Sequence, residues 1–113
     1  MAKTKAAGDT AAAADPRLVA IAKAYASDTR VTMGKSFSSI GLRVDGKIFA
    51  MVVRDRLVVK LPKARVDALV ASGVAERFEP GPGRVMKEWA VFAGTKPSWA
   101  SLARESFEYV GSI

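Results

Sequence analysis

The stretch "VDGKIFAMVVRDRLVVKLP", residues 44–62, decides the fold. Asp45-Gly46 stands before an apolar run, residues 47–53, and Arg54-Asp55 separates that run from a second, residues 56–61. Asp-Gly between apolar runs is the strongest short hairpin signal, because a type I′ turn needs positive φ at both central residues. Arg54-Asp55 reads as a second tight turn, so the stretch is an antiparallel meander. On its N-terminal side, "VTMGKSFSSIGLRV" alternates imperfectly. Strands are expected around 33–37 and 40–44, with Gly34 and Gly41 marking bends or a bulge.

Helices flank the meander. Asp15-Pro16 is a start signal, a side-chain acceptor at the N-cap with proline at the first position. Leu18, Ile21, Ala22 and Tyr25 follow on one stripe, and the helix is expected to end near Ser27-Asp28. Pro62 opens a second helix with Val66, Leu69 and Val70 inward and Gly73 as its C′ residue. Residues 75–84, "AERFEPGPGR", read as a loop, and "VMKEWAVF", 85–92, as a further strand. Pro97-Ser98 opens a last helix. Trp99, Leu102, Ala103 and Val110 fall near one of its faces, Phe107 and Tyr109 lie on the edges, and Gly111 ends it. The fold class is α+β: an antiparallel sheet with helices packed on one face, in the order α-β(3-4)-α-β(1-2)-α. The expected organisation is a flexible tail over 1–14, which has no large apolar side chain after Met1, and one domain over 15–113.

Composition narrows function by exclusion. The chain has 113 residues, half of them hydrophobic, and neither cysteine nor histidine. Disulfides, thiolate zinc sites, cysteine nucleophiles and histidine-dependent acid–base schemes all fall away. The acids form no catalytic pair: Asp45 and Asp55 are turn residues, Asp15 is a cap, Glu76 and Glu79 flank a loop, and Glu88 alternates with Trp89. No enzyme, cofactor or metal site is expected. "GPGR", residues 81–84, lacks the Lys-Ser/Thr ending of a phosphate loop and leads into a strand. No apolar run approaches the roughly 20 residues of a membrane-spanning helix, and a cytoplasmic protein is expected.

Eighteen Lys+Arg oppose eleven Asp+Glu, for a formal net charge of +7. That balance suits an acidic partner, although a net charge of about 2–8 is also normal for solubility. Alternation along the meander puts Leu57, Val59 and Leu61 on one face and Arg56, Val58 and Lys60 on the other. With Phe49, Met51 and Val53 inward, Arg43, Arg54, Arg56 and Lys60 share the outward face, with Lys87 nearby. Those five are the candidate contacts for an anionic partner. Ile48, Ala50, Val52 and Val58 would share that face, making Val52 and Val58 candidate interface residues for a protein partner or a second copy in a homodimer. Nucleic acid is the rival partner, but no stacking aromatics interleave with the basic residues on that face. No membrane partner is expected.

The residues also carry a resemblance. "MGKSFSSIGLRVDGKIFAMVVRDRLVVKLP" followed by "RVDALVASGVAERFEPGPGRVMKEW" resembles the TfoX N-terminal domain family, from about Thr32 to Val110. The specific elements are Gly34-Lys35, Gly41-Leu42, Gly46-Lys47 with Phe49-Ala50, Lys60-Leu61-Pro62, and Gly83-Arg84 with Met86-Lys87-Glu88-Trp89. A more distant similarity joins the MmcQ/YjbR family. The resemblance implies a compact α/β sandwich of the secretion-chaperone-like type. It also implies the N-terminal module of regulators of competence-gene expression, with no catalytic residues to carry over.

Overall fold

The computed structural model describes residues 15–36, 39–80, 82–94 and 98–113. The tail expected over 1–14 lies outside them, as does Pro97. Helix α1, Pro16–Ala22, runs into a 3-10 turn, Lys23–Tyr25. Strands β1 (Val31–Ser36), β2 (Ser39–Val44), β3 (Lys47–Val53) and β4 (Arg56–Lys60) follow. Then come α2 (Lys63–Ala71), β5 (Glu76–Phe78), β6 (Met86–Phe92) and α3 (Trp99–Gly111). The six strands form one sheet in the order β1-β2-β3-β4-β6-β5, antiparallel at every pairing.

The local signals act as their chemistry requires. Asp45 and Gly46 have φ of 52° and 80°, and Arg54 and Asp55 have φ of 52° and 70°. Both meander turns therefore carry the paired positive φ that matches the twist of the flanking strands. Asp15 accepts from the Arg17 N–H at 2.8 Å to cap α1. Ser98 accepts from the Ser101 N–H at 3.2 Å to cap α3. Gly73, at φ 84°, closes α2: its N–H donates to the Val70 carbonyl and the Val74 N–H to the Leu69 carbonyl, the double bond of a Schellman end. Pro62 is the residue before α2 rather than inside it. The expected order allowed a second strand between α2 and α3 without placing it. Residues 76–78 form β5 inside the expected loop. Three residues are too few for alternation to register, and the pairing that makes them a strand is with β6.

Three helices cover one face. Leu18, Ile21, Val66, Leu69, Trp99, Leu102, Ala103, Phe107 and Val110 pack with Leu42, Val44, Phe49, Leu57, Val59, Leu61, Ala90 and Phe92 in the main core. Tyr25, Phe49 and Phe107 meet there as an aromatic trio, with centroids 4.9 to 5.8 Å apart, the separation at which edge and tilted ring contacts are favourable.

The expected alternation of β3 fails in its middle. Leu42 pairs with Ala50 and Arg43 with Ile48, so Phe49 stands opposite no residue of β2. This β-bulge inserts one residue and shifts the facing of everything after it. Phe49, Ala50 and Val52 go to the helix side, while Ile48, Met51 and Val53 go to the open side. The expectation that Met51 and Val53 point to the helix core, with Ala50 and Val52 outward, is corrected accordingly. Ser106 of α3, fully buried, donates its hydroxyl to the Phe49 carbonyl at 2.7 Å. The helix thereby takes up a backbone acceptor at the bulge.

Gly34 and Gly41 pair across β1 and β2. They are not bends. They leave room on the open face: a Cβ at Gly41 would lie 2.6 Å from Ile48 Cδ1 and 3.1 Å from the Ala50 carbonyl, and one at Gly34 would lie 3.1 Å from Arg43 Nη1. Two measurements follow. Ser106→Ala lowers unfolding stability by about 1–3 kcal/mol, because the Phe49 acceptor is left buried without that donor. Gly41→Ala costs about 1–3 kcal/mol through overpacking, and Ile48→Val in the same chain recovers part of it. Urea midpoints of the single and double variants check both.

Candidate binding face

Among the described residues no helix covers the second face of the sheet, and this face holds most of the predicted site. Its centre is a separate apolar layer of Met51, Val58, Phe78, Trp89 and Val91. Ile48, Val53 and Met86 pack against it half-buried. Cross-strand register builds the layer: Met51 pairs with Val58, and Val58 with Val91. The Phe78 and Trp89 rings sit 6.4 Å apart. The layer is closely packed, with Met51 at 0 %, Val58 at 1 %, Trp89 at 5 % and Phe78 at 7 % exposure.

The basic residues divide. Arg43 pairs with Ile48 across β2 and β3, and its guanidinium lies over Gly34 on the open face. Arg56 pairs with Val53, and Lys60 with Trp89, so both belong to the same face. Arg54 does not: it occupies the tip of the β3–β4 turn, where positive φ takes it out of the strand. Lys87 does not either. It lines a pocket beside α2 with Lys63, Asp67, Arg77 and Val85. The cause is a second register irregularity. Arg77 pairs with Ala90 but Phe78 with Met86, which breaks strict alternation along the start of β6.

The interface pair divides as well. Val58 is on the open face but buried, and Val52 is half-buried against the helix core. The apolar surface a partner would meet belongs instead to Ile48, Val53 and Met86. Strict alternation puts only Ile48 of these on that face; the bulge at Phe49 turns Val53 outward, and Met86 lies at the β5–β6 register break.

Charge on this face is partly compensated. Arg56 lies 3.7 Å from Glu76, and Lys60 lies 3.9 Å from Glu88. The Glu88 carboxylate also accepts from the Tyr109 hydroxyl at 3.3 Å. Elsewhere acids act as structural clamps. Arg17 joins Asp15 of its own cap to Asp55 of the β3–β4 turn and stacks 4.6 Å above the Trp99 ring. The Trp99 Nε1–H donates to the Gly94 carbonyl at 2.8 Å. Glu79 accepts from the Gly83 N–H at 2.8 Å, which engages an amide of the "GPGR" loop within the chain. Among the described residues no group of three or more acids could hold a metal ion, and no helix is long and apolar enough to cross a membrane.

No protein-family model, curated protein or solved structure matches this chain.

Three carboxyls are held below the ordinary carboxylate range by cations: Asp15 by Arg17, Asp28 by Arg30, and Asp67 by Lys63 and then Arg77. A depressed folded-state value means that the unfolded chain takes up protons first. The stabilisation is therefore complete above about pH 4 and is lost as the pH falls through the folded-state values. Urea midpoints between pH 6 and pH 2 are expected to fall along an acid limb that Asp67→Asn makes shallower.

Proposed function

We propose that this chain is a non-enzymatic binding module that contacts a protein partner through the open face of its sheet. The observation that carries the reading is the composition of that face. Half-buried Ile48, Val53 and Met86 sit over a second apolar layer, and Arg43, Arg56 and Lys60 share the same side. An apolar centre with charged residues around it is how protein interfaces are built. The partner that fits is a protein surface with exposed apolar groups and a surplus of acids. A face-to-face second copy is disfavoured, since it would bring two sets of these cations together in a chain already carrying +7.

The rival reading is a nucleic-acid binder on the same face. Its supports are the net charge and Arg43, Arg56 and Lys60. Against it, the face's aromatics are packed into the layer, Trp89 at 5 % and Phe78 at 7 % exposure, and a stacking platform needs accessible rings. The resemblance to TfoX N-terminal domains agrees with a regulatory role by contact. On this reading the module works in the cytoplasm, without cofactor.

A photo-crosslinking residue placed at Ile48 or Val53 in cells tests the proposal. The expected result is one discrete crosslinked protein from these positions, none from Lys23 on the helical side, and loss of the product in Met86→Asp. Products that do not depend on face would overturn the reading. In parallel, anisotropy of labelled DNA is expected to show no saturable binding at moderate salt. Binding that falls linearly with log salt, and disappears on charge reversal of Arg43, Arg56 and Lys60 together, would transfer the face to nucleic acid.

A further inference from the structure

The pocket beside α2 lies apart from the open face and has chemistry of its own. It has a volume of ≈ 210 Å³ and is lined by Lys63, Asp67, Arg77, Val85 and Lys87. Sites for drug-sized molecules run to about 300–1,000 Å³, so this one suits a small ion or a single substituent.

Its charges are arranged around one carboxylate. Lys63 Nζ lies 2.8 Å from Asp67 Oδ2, and Arg77 Nη2 lies 2.7 Å from Asp67 Oδ1. Asp67 therefore draws a helix lysine and a strand arginine together and is itself neutralised by them. Lys87 adds a third cation, brought to the pocket where the β5–β6 register breaks. Bulges commonly re-aim a side chain in this way. No ion pair joins Lys87 to any acid among the described residues. Three cations against one carboxylate leave the pocket clearly positive.

Two polar atoms of this ion pair are unaccounted for. Arg77 Nη1 and Asp67 Oδ1 are both buried and have no hydrogen-bond partner. A buried guanidinium nitrogen is ordinarily satisfied, and an unmet one calls for a water or an ion. The lysine ammonium groups offer point charges to a tetrahedral anion, and Arg77, whose Nη2 is engaged by Asp67, adds the charge of its guanidinium. A metal cation is excluded by the same charges.

We propose that this pocket binds a phosphate-class oxyanion, held by Arg77 and Lys87 with Lys63 beside them. The site is independent of the partner face. The test is titration of the full chain, isotope-labelled, with inorganic phosphate and separately with O-phosphoserine, at constant ionic strength set by sodium chloride. Saturable amide shifts at Lys63 to Asp67, Arg77 and Lys87 with either probe support the proposal, and the tighter of the two tells a free ion from a phosphomonoester. Lys87→Gln, at an exposed position, is expected to weaken binding about tenfold, the effect of one charge-assisted contact. Arg43→Gln on the other face is expected to leave it unchanged. Shifts that rise linearly without saturation, shifts spread over the whole surface, or equal weakening by Arg43→Gln would overturn the proposal.

Discussion

The bond from the Ser106 hydroxyl to the Phe49 carbonyl ties together the two features on which the structure depends. One is the bulge at Phe49, which turns the strand's facing over in mid-length. The other is α3, which lies across the middle of the sheet and contributes six buried residues, Ser106 among them. A bulge interrupts the ladder and needs its polar groups met elsewhere. Ser106 meets one of them from the covering helix, so α3 is fixed over β3 by a directional bond as well as by apolar packing. Phe49 can then join Tyr25 and Phe107 in the main core while Met51, two residues on, goes to the other side.

The sheet therefore has two unequal apolar layers. The larger is sealed by helices. The smaller has none of the described helices over it and is closed at its centre by the packing of its own large side chains. Glycines make this packing fit. Without side chains at Gly34 and Gly41, Arg43 and Ile48 lie flat across the first two strands. The result is a partly apolar sheet surface that also bears cations, over which no helix of the described residues lies.

The positive charge is less of a single feature than its sum suggests. Arg17, Arg30, Arg56, Lys60, Lys63, Arg65, Arg77 and Arg104 each stand within 4 Å of an acid. Two of these pairs join elements distant in sequence, Arg17 with Asp55 and Arg65 with Glu105, and Arg77 with Asp67 joins the consecutive elements α2 and β5. Exposed pairs of this kind contribute little stability individually, but they decide where positive potential is left over.

The sequence by itself determined the elements whose signals are local. Asp45-Gly46 and Arg54-Asp55 set two turns because backbone sign is a property of adjacent residues. Asp15, Ser98 and Gly73 set helix ends because caps act within four residues. The inward set of β4, Leu57 and Val59, was legible because nothing interrupts its alternation. Gly41 marked the neighbourhood of the bulge, and in α3, Ser106 sits in line with Leu102, Ala103 and Val110, a polar residue in an apolar stripe. Tertiary structure decided the rest. Three-residue β5 exists through its pairing with β6, and the two register breaks depend on partner strands far along the chain. Those breaks sent Val52 to the helix core, Val53 to the open face and Lys87 to the pocket. The one-residue insertion at Phe49 exchanges the faces of all that follows, the β5–β6 break leaves Lys87, Glu88 and Trp89 without a partner in β5, and no period of two within a single strand can announce either.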